Sequence, residues 1–189
     1  EGKLVQMRHI SGLNFRVSHA VTGCAEPLFR QICPERPSSL LLAGAVGSGK
    51  TTMLRDLCRL LGASWRLTLV DERSEIAAVH HGVPQYDVGL HTDVLDGFPR
   101  AEGLLTALRV LTPEVLVCDE ISTEADAQAI LRIHGSGVPV VASAHGTSLE
   151  DLERRPALKQ LLDKGVFRYA AVLSGREQGK VQTLRRVVP

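Results

Sequence analysis

Residues 44–51 read Gly-Ala-Val-Gly-Ser-Gly-Lys-Thr, a complete G-x-x-x-x-G-K-[ST] run, and nothing else in the chain narrows its fold so far. Gly44, Gly47 and Gly49 let the backbone curl, so that successive N–H groups along Ala45, Val46 and Ser48 turn inward and form a positive nest for the β- and γ-phosphates of a nucleotide. Lys50 adds a point charge to those phosphates, the Thr51 hydroxyl can ligate the Mg²⁺ that accompanies them, and Thr52 continues the first helical turn. The flanks agree. Pro37 to Ala43 is a short apolar run suited to a buried parallel strand, and Thr52 to Leu61 has helical apolar spacing closed by Gly62. Strand, glycine-rich loop and helix together place a phosphate at a helix N-terminus, so ATP with Mg²⁺ is the expected cofactor.

With 189 residues the chain suits one domain, read as a nucleotide-binding core over 35–189 preceded by a lead-in over 1–34. It opens on Glu1 rather than Met, and a further N-terminal region is expected ahead of it. A hydrophobic share of 44% and a charged share of 23% are ordinary for a soluble globular protein. The net charge of +1 advertises neither a nucleic-acid surface nor a face for anionic lipid. No apolar run approaches the roughly 18 residues that a membrane span needs. Cys24, Cys33, Cys58 and Cys118 show no C-x-x-C pair and read as reduced thiols. His80, His81 and His91 read as solvated loop side chains rather than metal ligands.

Along the chain, His19 to Cys33 reads as a helix stopped by Pro34, and 65–70 as a strand ending at Asp71-Glu72-Arg73. Gly82 to Pro99, rich in Gly, Pro and Asp, reads as a long functional loop. Helices follow at 101–111 and 123–133, strands at 115–118 and 138–143, two short helices around Pro156, and closing strands at 168–173 and 180–188. This alternation predicts an α/β fold: a P-loop NTPase of the RecA or AAA kind, with a mainly parallel sheet, helices on both faces and hairpin-like C-terminal strands. Active groups in such sheets gather at the carboxyl ends of the strands. Here those ends carry the P-loop, Asp71-Glu72-Arg73, Asp119-Glu120 and His145.

Val115 to Asp119 has the form of the acidic strand that partners a P-loop. Asp119 is expected to share Mg²⁺ with Thr51. Glu120, one residue on, is placed to polarise an attacking water, which hydrolysis needs and simple binding does not. His145 is a candidate for sensing the γ-phosphate or touching Glu120. Asp71, Glu72 and Arg73 form either a second polar wall beside the phosphates or a loop-anchoring ion pair. Arg73, Arg100 and Arg109, then Arg154 and Arg155, are candidates for completing a neighbouring subunit's site.

Val70-Asp71-Glu72-Arg73-Ser74-Glu75-Ile76-Ala77, Gly82-Val83-Pro84-Gln85, Thr92 to Gly97, Arg100-Ala101-Glu102-Gly103, Asp119-Glu120-Ile121, Ser143-Ala144-His145-Gly146 and Arg154-Arg155-Pro156 together resemble the stage III sporulation protein AA family. The resemblance implies the C-terminal ATPase part of a longer protein, similar to the traffic ATPases of type II and type IV secretion. It implies a ring-shaped homo-oligomer, expected to be a hexamer, at the cytoplasmic, mother-cell side of the membrane. Its partners would be the membrane proteins of the sporulation channel, with no stable nucleic-acid partner. Asp71 to Glu75 and His145 would correspond to the acidic and histidine boxes of secretion ATPases. One departure stands out: Ser122-Thr123 follows Asp-Glu-Ile where that family usually has Gly-Arg. Two other functions stay open, an ATPase working with nucleic acid, as plastid relatives suggest, and a subunit that binds ATP without turning it over.

Overall fold

The computed structural model describes His9, Ser11, Gly12 and residues 19–187. Leu40-Leu41-Leu42-Ala43-Gly44 has no polar face, and it becomes strand β1 (Leu40–Gly44), buried at every position. Such a strand is stable only where both faces of a sheet are covered. Strands β2 (Leu67–Asp71), β3 (Thr92–Asp96), β4 (Val115–Glu120), β5 (Val140–His145), β6 (Tyr169–Leu173) and β7 (Val181–Arg186) complete a seven-stranded sheet in the order β3-β2-β4-β5-β1-β6-β7. All pairings are parallel except that of β6 with β7. The acidic strand β4 is thus separated from β1 by β5.

The helices are α1 (Glu26–Ile32), α2 (Lys50–Gly62), α3 (Arg100–Val110), α4 (Glu124–His134), α5 (Leu149–Glu153) and α6 (Pro156–Asp163). Because successive strand residues face opposite ways, β4 sorts its side chains between two cores. Val115 and Val117 join the α1 and α2 side with Leu54, Leu57 and Leu61. Leu116 and Cys118 join the α3, α4 and α6 side with Leu104, Ile130 and Leu161. Fully burying a Leu side chain stabilises by about 1.5–3 kcal/mol, so α2 is held to the sheet by packing rather than by propensity. Among the described residues no helix is long and apolar enough to cross a membrane.

Two expectations need amendment. The helix expected from His19 begins only at Glu26, because Gly23 takes φ +86° and Pro27 sits in the first turn. The remainder of the expected lead-in at 1–18 lies, except for His9, Ser11 and Gly12, outside the described residues. The stretch 82–99 is not all loop: Thr92–Asp96 adds the edge strand β3. It is sealed to the end of α2, where His91 N donates to Gly62 O at 2.7 Å. A Cβ at residue 62 would collide with the Thr92 hydroxyl and the Val88 carbonyl, so this approach requires glycine.

Candidate functional site

The G-x-x-x-x-G-K-T run connects β1 to α2, and Gly47 and Gly49 adopt φ +77° and +96°, left-handed values that only glycine takes cheaply. Gly49 is constrained twice over, because an ideal Cβ there would lie 2.9 Å from the backbone N of Gly179, in the β6–β7 turn. That same Gly179 N–H donates to Ser48 O at 2.8 Å. The Lys50 ammonium is folded over the loop, donating to Gly44 O at 2.8 Å and Ala45 O at 3.0 Å. Burial pushes its pKa down, and the Glu120 carboxylate pulls it back up. Ser48 Oγ is buried within the loop and has no hydrogen-bond partner among the described residues.

The acidic pair at the end of β4 is split. Cys118 pairs with Ala142 and Glu120 with Ser143, so Asp119 is the extra residue of a bulge. A bulge re-aims the side chains beyond it. Glu120 comes within electrostatic reach of Lys50, while Asp119 is turned to Arg100. Arg100 Nε and Nη2 both reach Asp119 Oδ1, at 2.8 and 2.7 Å. Nη2 also meets Glu72 Oε2 at 2.8 Å, and Nη1 meets Asp126 Oδ2 at 3.1 Å. Burial pushes the Asp119 carboxyl above the usual carboxylate value despite Arg100. Burial also opposes ionisation of Asp126, but the Thr123 and Ser122 N–H groups, the Thr123 hydroxyl and Arg100 outweigh it and hold that carboxyl low. Asp126 is also the third helical residue of α4, where it completes a reciprocal capping box with Thr123.

This geometry removes Arg100 from the candidates for reaching a neighbouring subunit, since it is 4% exposed and committed within its own chain. It also amends the expectation for Asp119, whose Oδ1 is engaged by a guanidinium. Asp71 is corrected in the same way. It is wholly buried, with Oδ1 accepting from Glu75 N and Oδ2 from Ile76 and Ala77 N, all at 2.9–3.0 Å. Its carboxylate therefore anchors the loop after β2 through main-chain amides rather than through the ion pair expected from sequence, and it is buried away from the phosphate nest. Glu72, with its side chain 39% exposed, stands at the rim beside Arg100. Arg73 is exposed. His145 ends β5 opposite Gly44, which brings its backbone beside the start of the P-loop. Arg109 lies exposed on α3, donating to Leu105 O, and Arg155 lies near Asp151.

A cavity of about 690 Å³ opens beside the start of α2. Its walls include Thr51 and Thr52 from α2, His19 and Cys24 from the preceding segment, Ser74, Glu75 and Tyr86 from the β2–β3 connection, and Gly179. Behind it lies Arg55, a residue that sequence reasoning missed. It is 3% exposed, and it donates to Ile76 O at 2.8 Å, His19 O at 2.7 Å and Glu75 O at 2.6 Å. Its guanidinium stacks 3.9 Å from the Tyr86 ring centroid. An arginine one turn into a helix that packs most of its buried face with Met53, Leu54, Leu57 and Leu61 is the signal that was available.

Among the described residues no group of three or more His, Cys, Asp or Glu side chains is arranged to hold a metal ion.

The sequence model of the family described as "Sporulation stage III, protein AA" matches residues 1–186. The chain is 39% identical to stage III sporulation protein AA of Bacillus subtilis (strain 168) over 190 residues, covering 97% of this chain and 62% of that protein. It therefore spans less than two thirds of the length of this relative. Among solved structures, the ATPase DotB of Legionella pneumophila superposes with a TM-score of 0.60 at 20% identity, over 78% of this chain and 43% of that one. The VirB11 ATPase of the Brucella suis type IV secretion system, solved with sulphate, gives 0.60 at 19% identity, over 84% and 50%. These likenesses carry the fold: a P-loop, secretion-ATPase type of sheet.

Proposed function

Because the chain belongs to the stage III sporulation protein AA family, we propose that it is an ATP-hydrolysing motor subunit that energises a secretion-like complex in sporulation. The observation that carries this is the bulge at Asp119, which delivers Glu120 to the side of the sheet where Lys50 crosses the P-loop. A scaffold that merely held ATP would have no use for a carboxylate there.

The loop amides from Ala45 to Thr51 and the Lys50 ammonium bind the polyphosphate, with Lys50 exchanging its contacts to Gly44 and Ala45 for phosphate oxygens. Mg²⁺ would be held by Thr51 and, through the oxygen that Arg100 leaves open, by Asp119, and when bound it neutralises charge that builds on the phosphates. Glu120 orients a water in line with the terminal phosphorus and accepts its proton as the bond to the leaving diphosphate breaks. Glu72 adds negative charge at the rim, under the control of Arg100. His145 and Arg73 are the remaining polar groups able to respond to the terminal phosphate.

By family likeness the working form is a ring-shaped homo-oligomer, a hexamer, at the mother-cell side of the membrane, acting on the membrane proteins of the sporulation channel. Two measurements test the reading. Replacing Glu120 by Gln is expected to leave ATP binding intact and to lower phosphate release by about 10²–10⁴-fold. Equal turnover in the variant would overturn it. Light scattering of the whole protein with and without Mg-ATP tests the ring, and stimulation of turnover by nucleic acid would instead favour a nucleic-acid-linked ATPase.

A further inference from the structure

The Arg100 guanidinium is held at two outer corners. Nη1 meets Asp126 Oδ2 at 3.1 Å and Nη2 meets Glu72 Oε2 at 2.8 Å. Nε and the other hydrogen of Nη2 lie along one edge of the guanidinium and face Asp119. That edge, left to itself, pairs with a carboxylate through two parallel bonds, one to each oxygen. Here the pairing is different. Nε at 2.8 Å and Nη2 at 2.7 Å converge on Asp119 Oδ1, and among the described residues no hydrogen bond or ion pair reaches Oδ2. The corner at Asp126 is fixed, because its carboxylate also accepts from Ser122 N at 3.1 Å and Thr123 N at 2.9 Å within the cap of α4. The corner at Glu72 is the adjustable one: its side chain is 39% exposed against 4% for Arg100.

We infer that Glu72 is a positioning residue for Asp119, acting through Arg100 against the fixed corner at Asp126. By holding the outer hydrogen of Nη2 it keeps the guanidinium from turning onto both oxygens of Asp119, and Oδ2 stays available to a divalent cation. Without Glu72, Arg100 turns into the two-bond pairing and the cation has to displace it. The inference rests on the Mg-nucleotide reading above and extends it to a group outside the metal's own ligands. It also gives Glu72 a task distinct from supplying negative charge at the rim, since a lysine at 100, having no planar edge to turn, would make that task disappear and leave the charge.

The test is a double-mutant cycle on metal affinity. The whole protein, saturated with a non-hydrolysable ATP analogue, is titrated with Mn²⁺ and followed by electron paramagnetic resonance. Glu72→Gln is expected to weaken Mn²⁺ binding about twofold to fivefold, the range of a partly exposed ion pair. In an Arg100→Lys background the same change is expected to leave Mn²⁺ affinity where it was. Equal losses in the two backgrounds, or no loss with Arg100 present, overturn the inference and leave the nucleotide reading standing. Should Arg100→Lys fail to fold, a salt series on Glu72→Gln makes the same separation. An effect carried by the field of a rim charge fades as potassium chloride rises from about 0.05 to 0.5 M, and a loss that fades with it overturns the inference, whereas a loss that persists supports it. A parent that takes up no Mn²⁺ with the nucleotide overturns the Mg-nucleotide reading itself, and this inference with it.

Discussion

Two arginines, Arg55 and Arg100, are buried to almost the same degree, at 3% and 4% exposure, and they solve the problem of a buried cation differently. Arg55 gives its donors to backbone carbonyls of Glu75, Ile76 and His19 and its face to Tyr86. Arg100 meets three carboxylates, Asp119, Glu72 and Asp126. The first arrangement fixes chain segments, with main-chain carbonyls as its hydrogen-bond acceptors and Asp71 within electrostatic reach. The second fixes charge at the ends of β2 and β4, and its partners titrate. Replacing either arginine therefore breaks different physics: lost carbonyl bonds in one case, uncompensated buried anions in the other.

The largest effect is expected from Arg100→Met. Removing one partner of a buried ion network costs about 3–5 kcal/mol, read as a lower urea midpoint with unchanged slope at neutral pH. Arg55→Met is expected to cost less, about 1.5–3 kcal/mol, because carbonyl dipoles rather than full charges are left behind. If the two costs are equal, the distinction drawn between them fails. A pH series sharpens it. Asp126 has its folded pKa held below the ordinary value, so it contributes stability above the unfolded pKa that is lost as pH falls through the folded one. Asp119, whose pKa is raised by burial, destabilises when ionised and is relieved as pH falls through its folded pKa, at higher pH than Asp126. Both signs shrink the penalty of Arg100→Met as pH drops from neutral toward the carboxylate range, whereas the penalty of Arg55→Met, with Asp71 as the carboxylate acting on its guanidinium, should change less. Parallel profiles in the denaturation series would contradict this. The smallest effect is that of Thr123→Ala, which removes the α4 cap, the hydroxyl that accepts from Asp126 N, and is expected to cost about 1 kcal/mol.

The parts of the molecule written in the sequence are those set by local rules. The phosphate loop, the uninterrupted apolar strands β1 and β4, the helix broken at Pro156 and the antiparallel closing strands all follow from spacing and glycine or proline chemistry. Strand β3 was hidden because Thr92–Asp96 carries Asp93 and Asp96 and is half exposed at the sheet edge, so its pattern is that of a loop. The bulge at Asp119 leaves no local trace, since one extra residue in a strand looks like any other, yet it decides which carboxylate of the pair faces Lys50. Asp71 and Glu72 are adjacent and alike in sequence, but Asp71 ends β2 and turns to its own loop amides, while Glu72, just past the strand, meets Arg100. The burial of Arg55 and Arg100 was only faintly written for a related reason: long cationic side chains are usually solvated, and only distant segments brought together by the fold supply the groups that make burial tolerable.

The bond from the Gly179 amide to the Ser48 carbonyl joins the outer hairpin of the sheet to the phosphate loop using main-chain atoms only. Such a link is indifferent to side-chain drift: almost any residue at either position would still offer the same two atoms, provided the backbone could keep its shape. Glycine at 179, with φ +77°, secures that shape, and proline there would remove the donor altogether. Strain imposed on the margin of the protein thus has a one-peptide route to the place where the polyphosphate would lie, and evolution can rewrite the margin's surface without cutting it.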